Sequence, residues 1–219
     1  MAFCDNKDFI EEYLYLYNSR FTSGSLAVEY DELNISSKKA MEFYNNLEAL
    51  KYAMECDKNS ISYYDIIEIA SMVNGRNSSF SKGFRKTNVE VRGASWLPVD
   101  AKEVYPKIMS LVDCYRNVWT DLDPFIREAK FHIELIKIHP FEDGNGRTAR
   151  IIMASNFLKA DIPPVIISSI DRHDYFEYIT NDDYEGFAKF LKEKSLEESY
   201  VMRDLEEELY NKPSSNFTR

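Results

Sequence analysis

The sequence predicts a mainly α-helical domain with one short β-hairpin flap over a helix–loop–helix junction. Three observations carry this. Apolar residues recur at helical spacing along most of the chain. Residues 83–99 (GFRKTNVEVRGASWLPV) break that period with Thr, Val and aromatic side chains. A glycine-rich segment at 139–150 separates two of the helical patterns.

The elements follow in order. Phe9, Ile10, Tyr13, Leu14 and Tyr17 form one stripe over 8–18. From Ser36 or Ser37 a second helix carries Ala40, Phe43, Tyr44, Leu47, Leu50 and Met54. A third starts at Ser62, where Ser62 and Asp65 have the spacing of a capping box, and stops at Asn74-Gly75. A fourth starts near Asp100, with Glu103 at the matching box position, and buries Val104, Ile108, Leu111, Val112, Tyr115 and Trp119. A fifth begins after Pro124 and carries Phe125, Ala129, Ile133 and Ile136 up to His139. A sixth opens in the glycine segment and carries Ala149, Ile152, Met153, Phe157 and Ala160 until Pro163-Pro164 forbid it. Two more, over 182–194 and 196–210, complete the chain, and 213–219 reads as a frayed tail. In the flap, Val89-Glu90-Val91 alternates and Gly93 can turn the chain.

Composition narrows the function. The 219 residues are 44% hydrophobic and 14% aromatic, which suits a buried core and excludes global disorder. Lys and Arg number 27 against 37 Asp and Glu, a net charge of -10. Such a surface repels nucleic-acid phosphates and anionic lipid, so neither is an expected partner. A local basic pocket can still hold a small anion such as ATP. The three cysteines, Cys4, Cys56 and Cys114, lack paired spacing and read as reduced thiols. No segment reaches the roughly 20 apolar residues of a membrane span. Residues 1–20 are acidic and do not read as a signal peptide, so a cytoplasmic location is expected, with secretion by another route left open.

Residues 139–150 (HPFEDGNGRTAR) hold the chemistry. Gly144-Asn145-Gly146 opens the sixth helix, where free N–H groups and the helix dipole favour an anion. Arg147 and Arg150 lie three apart and share one side of the first turn. Together these make a cradle for a polyphosphate. Asp143 places a hard oxygen ligand beside it, which suits Mg²⁺ held by one or two carboxylates plus phosphate oxygens. His139, four residues earlier, can take a proton from an attacking hydroxyl. Gly-Asn-Gly alone is most often a turn, and a lone His most often structural; the constellation is what points to a site.

HPFEDGNGRTAR matches, at every defining position, the Fic motif His-Pro-Phe-x-Asp/Glu-Gly-Asn-Gly-Arg-x-x-Arg, and residues 131–138 resemble the helix that precedes it. The resemblance covers roughly 20–190 and is strongest at 131–160. It implies a Fic-type helical domain and a protein adenylyltransferase that moves AMP from ATP to a Ser, Thr or Tyr hydroxyl of a target protein, itself included. His139 is then the general base, and Asp143 the Mg²⁺ ligand. Gly144, Asn145 and Gly146 form the anion hole, with the Asn145 side chain on phosphate. Arg147 and Arg150 neutralise the β and γ phosphates. Phe141 anchors the loop, and Glu142 is solvated. Doc-type relatives, which phosphorylate, carry Lys where this chain has Gly146, so AMP transfer is favoured over phosphate or UMP transfer. Removal of AMP and a purely nucleotide-sensing interaction protein are the other readings, the last opposed by an intact His139 and Asp143.

The resemblance also implies an inhibitory helix of pattern Ser/Thr-x-x-x-Glu-Gly/Asn. Ser25 and Glu29 fit its first and fifth positions, and Tyr30 departs from the sixth. Glu29 is then expected to pair with Arg150 and block productive ATP. On this reading 1–35 holds the N-terminal and inhibitory helices, 36–195 the core, and 196–219 a C-terminal helix and tail. Tyr175 and Tyr178 fall where relatives line an adenine pocket. The backbone of Asn88, Val89, Glu90 and Val91 can pair with a strand of the target, while Lys86 and Thr87 cover the nucleotide. His132 reads as a buried core residue and His173 as an exposed loop residue. Self-association is left open.

Overall fold

A helix buried on every side must lie at the centre of its fold. In the computed structural model that helix is the one following the glycine segment. The structure describes residues 7–29, 36–56, 61–76, 83–91 and 94–211, and of these the side chains at 7–8, 25–29, 36–39 and 210–211 lie outside the description.

The helices are α1 (Lys7–Glu29), α2 (Ser36–Glu55), α3 (Tyr63–Val73), α4 (Val104–Asp113), α5 (Pro124–Ile138), α6 (Asn145–Lys159), α7 (Arg172–Asn181) and α8 (Tyr184–Asn211). Residues 147–158 of α6 are all buried. Helices α2, α3 and α5 pack around it, α5 also meets α4, α7 and α8, and α1 lies on α2 and α8. Ile152 and Phe157 have no exposed surface. Removing the Phe157 ring would cost about 3–5 kcal/mol, because the surrounding helices cannot collapse into the space. Among the described residues no helix is long and apolar enough to cross a membrane.

Local sequence sets two helix starts, the first as expected. Ser62 and Asp65 form a reciprocal capping box at the start of α3. Asp123 accepts from the amides of Phe125 and Ile126 at the start of α5, with Pro124 in its first turn.

Other expectations fail for identifiable reasons. Helix α1 runs on past residue 18 to Glu29. The polar Thr22-Ser23 pair does not stop it: Thr22 accepts from Asn46 Nδ2 at 3.1 Å, and Ser23 donates to the Ser19 carbonyl at 3.0 Å. Gly24 lets this helix approach the chain at Ile167, whose carbonyl oxygen would lie 3.0 Å from a Cβ there. Asp100 makes no side-chain cap; a 3₁₀ turn (Ala101–Glu103) leads into α4 and a π turn (Cys114–Val118) leaves it. His173, expected in a loop, is exposed on helix α7. The two expected C-terminal helices are one continuous α8, because Ser195 at the supposed break is buried and donates to the Pro163 carbonyl at 2.7 Å.

The hairpin flap is the main correction. The described residues of 83–99 form bends and extended chain, without a strand. Side chains take the place of a ladder: Arg85 donates to the Thr87 and Val99 carbonyls, and Asn88 Oδ1 accepts from the Ala101 amide at 2.8 Å. Asn88 and Glu90 are exposed while Val89 and Val91 are half-buried, so their alternation is that of a loop lying on the surface.

Candidate active site

Helix α5 delivers His139. Its amide still donates to the Leu135 carbonyl at 3.1 Å, but its backbone turns left-handed at φ 50°, ψ 61°. A non-glycine residue there costs on the order of 1–3 kcal/mol and persists only where surroundings fix it. The imidazole Nδ1 lies 3.3 Å from the Ile136 carbonyl. A proton on Nδ1 makes that contact a hydrogen bond and leaves the Nε2 lone pair as the basic site. Burial pushes the imidazole pKa down to about 4; the Ile136 carbonyl pulls it back, Arg85 lowers it further and Asp143 raises it. The ring is therefore neutral at pH 7 and able to accept a proton. Trp96, from the 83–99 loop, lies beside it with ring centroids 6.4 Å apart.

The loop after His139 is held from inside. Phe141 is 1% exposed and anchors it against Phe84. Asn145 Oδ1 accepts from the Phe141 amide and Nδ2 donates to the Phe141 carbonyl, both at 2.9 Å. The Asn145 side chain thus fastens the loop and is buried. From α3, Asn74 Nδ2 donates to the Asp143 carbonyl at 3.0 Å. A Cβ on Gly144, at φ 79°, would lie 2.7 Å from Asn74 Oδ1, so a side chain there would strain the backbone and displace Asn74. The amides of Asn145 and Gly146 then open α6 as the free N–H groups of a helix N-terminus.

The charged groups divide between mouth and interior. The Asp143 side chain is 48% exposed, with Oδ1 accepting from the Gly144 amide at 2.7 Å and Oδ2 lying 3.3 Å from Arg147 Nη2. It is a single carboxylate: among the described residues no group of three or more His, Cys, Asp or Glu gathers to hold a metal. Arg147 is 5% exposed. It also reaches the Val73 carbonyl and Asn74 Oδ1, both at 3.4 Å, and Glu42 of α2 at 3.9 Å. A buried guanidinium must be paired, and here it braces α2 and α3 against the loop. Arg150 is 3% exposed and lies near both His132 and Tyr17: its charge adds to the burial that lowers His132 to about 3, and opposes the burial and Glu198 charge that raise Tyr17. It is thus close to α5 at His132 and to α1 at Tyr17. The side chains of Ser25 and Glu29, on α1, lie outside the described residues.

The two tyrosines expected at an adenine pocket pack against α8. Tyr175 is 1% exposed, its hydroxyl 2.8 Å from His132 Nε2 and its ring against Phe187. Tyr178 is half-buried against Phe187 and Phe190. His132 is the buried core residue expected. Glu42, Asn74 and Arg85 were not legible as site residues. Only Asn74 left a trace, as a helix stop.

Residues 60–156, which include the whole loop, match the family model described as Fic/DOC family. A protein adenylyltransferase Fic from Nematostella vectensis is 32% identical over 183 residues, 80% of this chain and 42% of the relative. The chain thus spans less than half the length of that curated relative. A Fic-domain signalling protein from Bacteroides thetaiotaomicron shares the fold at TM-score 0.78 and 19% identity, covering 93% of this chain and 91% of the other. A Fic-1 fragment from Caenorhabditis elegans does so at TM-score 0.70 and 22% identity, covering 88% and 63%. With the motif seated at the start of its central helix and the match spanning α3 to α6, the chain belongs to the Fic/DOC family.

Proposed function

We propose that this chain transfers AMP from ATP to a Ser, Thr or Tyr hydroxyl of a target protein, and to a hydroxyl of its own. The observation that carries the reading is His139, neutral and held in a left-handed turn with Nδ1 on the Ile136 carbonyl. It adjoins the open N-terminus of α6, which suits an anion. Similarity to proteins named adenylyltransferase supports AMP as the group moved, as does Gly146 in place of the lysine of Doc-type relatives.

In the step, His139 Nε2 takes the proton of the acceptor hydroxyl. The hydroxyl oxygen forms a bond to the α-phosphorus of ATP, the bond to the bridging oxygen breaks, and pyrophosphate leaves. The α6 amides at Asn145 and Gly146 stabilise charge on the phosphates. Asp143 fits an Mg²⁺ site that completes its shell with phosphate oxygens and water: it is half-exposed, lies at the mouth and needs no second carboxylate. The ion would supply charge neutralisation there.

The Ser25 and Glu29 spacing supports a brake in which Glu29 holds Arg150. Free thiols at Cys56 and Cys114 agree with a reducing, cytoplasm-like setting. The test is incubation with ATP, UTP or GTP plus Mg²⁺ and measurement of the mass added to the protein. AMP from ATP supports the reading; phosphate alone, or UMP in preference, replaces it with the corresponding transfer.

A further inference from the structure

Arg85 is 4% exposed, on a loop that carries no part of the motif. Its main-chain amide donates to the Pro140 carbonyl at 2.8 Å. Its guanidinium donates to four carbonyls: Nε to His139 at 2.7 Å, Nη1 to Thr87 at 2.8 Å, and Nη2 to Val99 and, at 3.4 Å, to Ile138. Two of these carbonyls belong to the C-terminal end of α5, which has no further helix to receive its hydrogen bonds and carries the negative end of the dipole. The other two stand near the two ends of the 83–99 loop. Only a planar group with donors in a fixed fork can satisfy such a set at once.

We infer that Arg85 is the positioning residue of the base: its guanidinium fixes the left-handed His139 peptide, and ties the loop over the site to that same point. It touches no reacting atom. It acts through the main chain, since the His139 carbonyl it grips belongs to the residue whose φ of 50° aims the imidazole. The loop and the base form one mechanical unit, so a target seated on 88–91 bears on the aim of His139. The role rests on His139 being the base of the proposed transfer.

The test compares the full chain with Arg85→Gln and Arg85→Lys. Arg85→Gln should lower kcat for AMP transfer by about tenfold or more, with KM for ATP changed by less than about threefold, since misplacing a base by a fraction of an ångström spares nucleotide binding. Arg85→Lys should restore part of kcat, keeping the charge but not the fork. In Arg85→Gln the amides of residues 85 and 139 should exchange with solvent about tenfold faster while α6 amides do not change. An unaltered kcat per folded molecule, or a loss shared equally by kcat and KM, overturns the proposal. If neither the wild type nor Glu29→Gly transfers a nucleotide, the transfer reading fails and exchange alone decides: faster at 85 and 139 supports the clamp, unchanged exchange rejects it. If Arg85→Gln does not fold, the same comparison is made on Arg85→Lys.

Discussion

The Asn145 carboxamide closes a two-bond ring with the Phe141 backbone, accepting its amide proton and donating to its carbonyl. Both partners are buried. Asn145→Ala leaves an amide and a carbonyl unpaired, at about 1–3 kcal/mol for each group. Stability should fall by about 2–6 kcal/mol by denaturant unfolding, and transfer should be lost in the folded fraction. Asn145→Asp keeps the acceptor and loses the donor, so it should fall in between. An Asn145→Ala protein as stable as wild type would show that the loop is held elsewhere.

How much of this was legible follows from where the partners lie. The 139–150 segment could be read because helix end, glycines and charges are contiguous, and the Ser62 and Asp65 cap because its two halves are three residues apart. Asn145 could be placed but not aimed: only the fold shows that its side chain turns back onto Phe141. Glu42, Asn74 and Arg85 reach the site from distant segments and carry no local signal. Helix α7 was hidden because only Tyr175 and Ile179 of its ten residues are buried. The alternation at Val89-Glu90-Val91 misled because Arg85 and Asn88 satisfy backbone groups that a hairpin would have paired.

Burial pushes the Glu128 carboxyl up to about 7, partly offset by hydrogen bonds from Tyr115 and Asn156. The raised value means the native state binds the proton more tightly than the unfolded chain. Its contribution to stability is full below the unfolded pKa, near 4.5, and is lost as pH rises through about 7. Glu128→Gln should flatten the pH dependence of unfolding between pH 5 and 8. The same slope in both proteins would mean that another group titrates there.

The lowered pKa of His139 has a kinetic consequence. An unperturbed histidine, near 6.5, loses most of its basic form by about pH 5.5. With His139 near 4, kcat/KM, which reports the free enzyme, should stay flat from pH 8 to about 5.5. A half-maximal point near 6.5 would show that the ring is more open to water than its burial implies.

Asp143→Ala should abolish dependence on Mg²⁺ together with most of the rate, a loss of about 100-fold or more. A titration of rate against Mg²⁺ checks it. Undiminished activity with the metal chelated would remove Asp143 from the proposed site.

Glu29→Gly should raise self-modification by about tenfold, the size of a typical coupling between sites, if Glu29 restrains Arg150. Equal rates of labelling in the two proteins would leave no brake to explain.

The central claim is that His139 is the base for AMP transfer, and intact mass tests it most directly. Wild type and His139→Ala are incubated with ATP and Mg²⁺, and the protein masses are read after equal times. Wild type should gain the mass of AMP and His139→Ala should gain nothing. AMP on both proteins alike, or on neither even with Glu29→Gly added, would contradict the account.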